Sequence, residues 1–372
     1  MTAGLTGCVL NNPVSGDVIA VTSSATECTL SAVEAPAGMI QFEVLNTGES
    51  TTEFYILAND GMRVVGEVEN IGPGLSRNLL IQAPAGTYYT VCKPGGTGAG
   101  IGNAVFTVTA SDAQIEISAD TQALVDTAAT NYASYVRNEI DHLTAGTEEF
   151  AAAYVAGDFD TARSLYAPTR MHWERVETVA ESFGDLDPKL DLREADLEEG
   201  QEWTGWHAIE KDLWPQDAEL GFQPYDLAKR ERLAGLLVSD TLTLQANVKD
   251  LSFDLPQLTN GAIGLLDEVA TDKVTGEEEI WSHTDLLDFQ ANVDGAAVLY
   301  AGVRDILMQK KPELANQLDE EFAALQKLLD TQRVGDGFAY YNDLTSAQIK
   351  ALADQVNALA EPLNKLTAAL VM

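Results

Sequence analysis

Sulfur and imidazole are scarce in this chain. Its 372 residues include three cysteines and four histidines. Cys8, Cys28 and Cys92 all fall in the first quarter, so the remainder offers no thiolate and a cysteine-based zinc site is excluded there. His142, His172, His207 and His283 all lie later, which excludes a His-ligated copper centre built from the N-terminal part alone. Positive charge is scarce too: 22 Lys and Arg face 58 Asp and Glu, a net charge of −36. Such a chain repels phosphate backbones, which makes nucleic acid a poor partner, and it draws cations. No apolar run reaches the length of a membrane-spanning helix. P-loop, G-x-S-x-G, dinucleotide-fingerprint and H-E-x-x-H motifs are all missing.

Apolar residues make up 45% of the chain, enough to bury sizeable cores, and the length suits two domains. A strongly acidic surface also keeps a protein dispersed, so spacing must separate metal ligands from solvated acids. Near the start, Leu5-Thr6-Gly7-Cys8 resembles a lipobox, whose cysteine is lipidated, and the polar run after it reads as a tether over 1–17. The alternative is a free surface thiol. With Cys8 lipidated, Cys28 and Cys92 remain as an even pair.

Residues 18–112 read as an antiparallel β-sandwich. Short β-rich runs at 39–45, 53–57, 63–68, 78–82, 87–91 and 104–108 alternate with turn chemistry such as Asn46-Thr47-Gly48 and Asn59-Asp60-Gly61. From 118 to 372 the period becomes helical and predicts an all-α bundle. Helices are expected at 121–143, 158–183, 204–214, 225–248, 286–310, 312–331 and 346–370, with Pro168 bending or interrupting the second. The acidic stretch 185–201 reads as irregular, and a loop that long inside a bundle usually serves a site.

Three residues separate His207 from Glu210, so on a helix both point the same way and can share a metal, as the Glu-x-x-His pairs of di-iron bundles do. Taken alone, such a pair is more often a polar surface feature. Trp206 and Trp214 would wall the site. Glu174, Glu177 and Glu181 form a second acidic stripe, repulsive unless a cation relieves it. Glu268 sits in an apolar run and needs a partner if buried. Ser282 and Asp285 read as a capping box, and His283 stays open between ligand and packing. Imidazole with carboxylates suits iron and manganese, and also zinc.

The strings Trp173-Glu174-Arg175-Val176-Glu177, Ala180 to Pro188, Asp191 with Arg193-Glu194, and Thr204 to Trp214 resemble the EfeO family of bacterial iron-uptake proteins. Gly276-Glu277-Glu278, Ser282 to Leu286 and Ala360 to Leu363 extend the likeness over nearly the whole chain. The resemblance implies a cupredoxin-like sandwich followed by an imelysin-like helical domain. It also implies an extracytoplasmic, periplasmic or cell-surface iron-binding lipoprotein that works with a membrane iron permease and a DyP-type haem peroxidase. The family's H-x-x-E motif falls on His207 and Glu210, and its acidic ligands on Glu174, Asp187, and further Glu177 and Glu268. Its paired cysteines match Cys28 and Cys92, and an acid matches Glu53, which implies either a second metal site or a disulfide. The stretch Gly86-Thr87-Tyr88-Tyr89 lacks an acid the family can carry.

Three functions therefore compete. The first is capture of Fe(III) or Fe(II), with zinc or copper compatible with the same donors. The second is an imelysin-like metallopeptidase, for which no general base separate from the ligands stands out. The third is an acidic structural surface protein.

Overall fold

The computed structural model describes residues 18–371 apart from 60, 62–63, 84, 97–99, 112–118, 181–185, 198–199, 272 and 336. Cys8 and Glu181 lie outside the described residues, as does the side chain of Glu268.

Among the described residues nine strands precede the helices: β1 (Ile19–Ser23), β2 (Cys28–Leu30), β3 (Glu34–Pro36), β4 (Gly38–Asn46), β5 (Thr52–Leu57), β6 (Val64–Ile71), β7 (Ser76–Ala83), β8 (Gly86–Pro94) and β9 (Ile101–Thr109). They form two sheets, ordered β2-β1-β4-β7 and β3-β9-β8-β5-β6. Alternation drives the sandwich: along β4, Ile40, Phe42 and Val44 turn inward to meet Phe54 and Phe106 from the other sheet. The sandwich matches expectation, with one refinement. β1 pairs with β4 and β3 with β9 in parallel, because the short strands β1 to β3 switch between sheets. Cys28 on β2 and Cys92 on β8 form a disulfide that ties the two sheets. Closing a loop of 64 residues stabilises the fold by about 4 kcal/mol on a chain-entropy reckoning.

The helical part comprises α1 (Ala119–Ala156), α2 (Phe159–Glu174), α3 (Glu177–Ala180), α4 (Leu186–Asp191), α5 (Gly205–Leu213), α6 (Leu227–Asn247), α7 (Leu255–Thr271), α8 (Asp285–Lys310), α9 (Pro312–Asp330), α10 (Ser346–Leu363) and α11 (Leu366–Val371). One apolar core runs through them, from Val136 and Ile140 on α1 to Leu359 and Leu363 on α10. Among the described residues no helix is long and apolar enough to cross a membrane.

Three expectations change. Helix α2 continues through Pro168, whose neighbours Tyr166, Ala167, Thr169 and Arg170 are all buried; tertiary packing outweighs the lost backbone bond. The break comes instead after Glu174, where the Val176 N–H turns back to the Trp173 carbonyl. The acidic stretch after residue 185 is largely ordered, as α4 and a 3₁₀ turn over Glu194–Asp196. Helix α7 had no expected counterpart: Pro256, Gly261 and Gly264 blur its period, yet proline is tolerated in a first turn, and Leu258, Leu265 and Leu266 are buried.

The sandwich rests on α7. The Asn260 side-chain amide donates to the Leu80 carbonyl at 2.9 Å, and a cavity of about 610 Å³ lies between β6, β7 and the helices beside them.

Candidate metal centre

Four chain segments converge on Arg170: α2, α4 with α5, the turn before α8, and α8 itself. The Arg170 guanidinium is fully buried and pairs with Glu174, Asp191, Glu278 (3.4 Å), Glu279 (2.6 Å) and Asp288 (3.7 Å). Lys273, also fully buried, bridges Glu174 at 2.9 Å and Glu177 at 3.0 Å. Buried carboxylates of this number are held only by close cations and hydrogen bonds. Asn292 supplies further donors, to the Glu174 carbonyl and to the side chains of Glu174 and Glu177. Asp285, Asp288 and Asn292 form a polar stripe on an otherwise apolar stretch of α8.

His207 enters from α5. Gly205 makes that approach: its φ is +85°, and a Cβ there would sit 2.2 Å from the Leu190 carbonyl oxygen. Only glycine lets α5 start so close to the end of α4. As a result His207 Nε2 lies 3.3 Å from Asp191 and 3.5 Å from Glu278, and it lacks a hydrogen-bond partner. Nδ1 faces Glu210 Oε2 at 3.2 Å. The other Glu210 oxygen accepts the backbone N–H groups of Trp281 (3.0 Å) and Ser282 (2.7 Å). Asp191 is held from behind by the Trp173 indole N–H at 2.7 Å. Three sets of side chains bring one donor atom each within 4.8 Å of one another: Asp191, His207 and Glu278; His207, Glu210 and Glu279; and Glu174, Glu177, Asp191 and Glu278.

Burial and the Arg170 charge push the His207 imidazole down, but Asp191 and Glu210 outweigh them and hold it well above its usual value. Burial, then Glu279, lifts Glu210 to about 8. Burial also opposes the Asp191 charge, yet Arg170 and His207 keep that carboxyl below the usual range. Glu278 falls to about 2 against its burial, chiefly through Lys273 and His207. Asp187 rises to about 7 by burial, then by Asp191 and Glu67.

His207 and Glu210 face each other on one helix, as their spacing predicts; Glu174 and Glu177 also come together, but across the break between α2 and α3 and bridged by Lys273 rather than as a stripe on one helix. Asp187 falls outside the three donor sets, and Asp191, one turn further along α4, belongs to two of them. Trp206 is buried against Phe150 and Tyr166, and Trp214 packs on Tyr166. The capping box does not form: Asp285 accepts the Glu279 backbone N–H, and the Ser282 hydroxyl donates to Glu279. His283 belongs to none of the donor sets; with φ +58° it shapes the turn, and its carbonyl accepts the Tyr341 N–H. As a disulfide, Cys28 and Cys92 offer no thiolate, and Glu53 instead accepts a hydrogen bond from Tyr55. Sequence reasoning missed Arg170 as the hub, and also Lys273, Glu279 and Asp288. Glu278 was present only inside a family-like string.

The family models for imelysin and for a cupredoxin-like domain match residues 128–366 and 4–100. The protein named iron uptake system component EfeO from Escherichia coli strain K12 is 36% identical over 94% of this chain and 90% of its own length. The relative of the same name from Shigella flexneri gives the same figures. The chain belongs to the EfeO family. Membership fits the order of its parts, a cupredoxin-like sandwich followed by the imelysin region.

Proposed function

We propose that this chain is the extracytoplasmic iron-binding component of an iron uptake system. It captures Fe(III) or Fe(II) in the helical domain and delivers it to a membrane permease, with a haem peroxidase of the DyP type as the further partner. Cys8 is its lipid anchor. The observation that carries this reading is the His207 ring: one nitrogen is fixed by Glu210, and the other is buried without a hydrogen-bond partner between Asp191 and Glu278.

In this reading His207 Nε2, Asp191 and Glu278 are the first ligands, and Glu174 with Glu177 can complete a hard, oxygen-rich shell. Glu210 orients the imidazole and favours the tautomer that leaves Nε2 open. Names of the relatives support iron as the cargo. The same arrangement counts against a peptidase. Glu210, the acid nearest the histidine, is engaged on both oxygens and is not aimed at a metal-bound water.

Elemental analysis with calorimetric titration of Fe(III), Fe(II), Zn(II) and Cu(II) tests the proposal, on wild type and on His207→Ala. One tight site lost in the variant, with iron preferred, is the expected result. Weak, scattered binding that is equal in both proteins would instead support the acidic-coat alternative.

A further inference from the structure

Lys211, the residue after Glu210 on α5, sends its ammonium to acids outside the three donor sets. Its side chain is 4% exposed, and Nζ lies 2.6 Å from Glu194 and 2.9 Å from Glu219. Three rings surround it, Phe222 at 5.2 Å, Trp281 at 5.4 Å and Trp203 at 5.8 Å from the ammonium. All three are within the range of a cation–π contact. Trp203 packs on Trp281, and its indole N–H donates to the Leu192 carbonyl at 2.7 Å.

Glu194 stands three residues after Asp191, Lys211 four after His207, and Trp281 three after Glu278. Asp191, His207 and Glu278 come from separate segments and meet as one donor set only in the folded chain. The Lys211 ammonium therefore fastens together, a few residues from each donor, the segments that deliver them. Leu192, which anchors the Trp203 indole, is the residue next to Asp191. The Trp281 backbone completes the link, because its N–H donates to Glu210, which holds the His207 ring.

Stability does not account for this arrangement. Burying an ammonium costs desolvation, and an apolar side chain of similar length fills a box of three rings without that cost. The carboxylates of Glu194 and Glu219 are 44% and 63% exposed, so water receives them when the lysine is absent. Resting on the metal-binding reading above, we infer that Lys211 is a positioning residue of the metal centre. Through Glu194, Trp203 and Trp281 it holds Asp191 and Glu278 against His207. Methionine at this position keeps the packing and removes the ties.

The test is calorimetric titration with Fe(II) under anaerobic conditions, with thermal melting of the metal-free protein alongside. Lys211→Met should weaken Fe(II) binding about tenfold or more, as expected for a residue that orients ligands, while the metal-free melting temperature stays within about 3 °C of wild type. Electron paramagnetic resonance of the Fe(III)-loaded variant should change line shape, since the donors no longer share one fixed geometry. Glu194→Ala cuts the same tie from the solvent side and should weaken binding about threefold or more. Glu202→Ala is the matched control: Glu202 is 59% exposed beside Trp203 and pairs with Arg232, and its loss should leave affinity at the wild-type value. Wild-type affinity and line shape in Lys211→Met would overturn the positioning role. Should that variant fail to fold, Glu194→Ala decides: wild-type affinity there, or an equal loss in Glu202→Ala, also overturns it. A wild-type titration no different from that of His207→Ala defeats the metal-binding reading and this inference together. Tight wild-type binding that Lys211→Met and Glu194→Ala both retain defeats the inference alone.

Discussion

His207 and Glu210 face each other one helical turn apart, with Nδ1 3.2 Å from Oε2, while the second Glu210 oxygen accepts two backbone N–H groups from the turn before α8. The pair is thus a ring and its clamp, which leaves the opposite nitrogen for the proposed metal.

Glu210→Gln keeps an acceptor for the Trp281 and Ser282 N–H groups but turns an amide N–H toward His207 Nδ1. That favours the tautomer with a proton on Nε2, where the metal binds. Affinity for Fe(II) should fall about 10–100-fold, the usual effect of losing an orienting partner, whereas His207→Ala should remove the site. Equal, complete loss in calorimetry of both variants would make Glu210 a direct ligand.

The two aspartates of α4 should separate. Asp191→Asn removes a carboxylate 3.3 Å from His207 Nε2 and should weaken Fe(II) binding about 100-fold or more. Asp187→Asn should change equilibrium affinity less than about threefold, because Asp187 belongs to none of the donor sets. A reversed order would restore Asp187 to the ligand shell.

Metal binding should release protons at pH 7. With its pKa held well above the usual value, His207 is protonated there in the metal-free protein, and Glu210, at about 8, is largely protonated as well. Both must lose the proton or share it when a cation binds Nε2, so affinity should climb as pH rises from 6 through about 8. Titrations in buffers of different ionisation enthalpy should show at least about one proton released per ion; heats independent of buffer would contradict this.

Stability of the metal-free protein should run the other way. Glu210 at about 8 and Asp187 and Asp285 at about 7 are raised above their unfolded values. Such groups favour the fold below the unfolded pKa, and that contribution is lost as pH rises through the folded one. Asp191 and Glu278 are depressed, and their contribution is lost only as pH falls toward about 2. The melting temperature should therefore peak between about pH 4 and 6 and fall by about 5 °C or more by pH 8.5. Saturating Fe(II) should flatten that fall. A metal-free optimum above pH 7, followed by calorimetry, would contradict the assignment.

Lys273→Met leaves Glu174 and Glu177 without the ammonium that bridges them. Metal-free stability should drop by about 3–5 kcal/mol, the cost of an uncompensated buried charge. Saturating Fe(II) should recover most of it, because the ion can take the ammonium's place among the same oxygens. Denaturant melts with and without metal decide this, and an equal loss in both would make Lys273 purely structural.

Local pattern carried much of this protein. Alternation and turn residues mark most of the strands of the sandwich, and the helical period with its acidic excess marks the domain that follows. The i, i+3 geometry of one helix is enough to set His207 against Glu210, because both residues lie on the same nine-residue segment. What the tertiary structure alone decided is the identity of the remaining partners. Glu278 and Lys273 reach the centre from more than sixty residues away in sequence, and the close approach of α5 to the end of α4 at Gly205 sets Asp191 beside His207. Burial then sets which carboxylates stay charged, through cations such as Arg170 that no spacing rule assigns to them. Distance between helices and loss of water are properties of the packed chain, so these choices leave no periodic trace in the sequence.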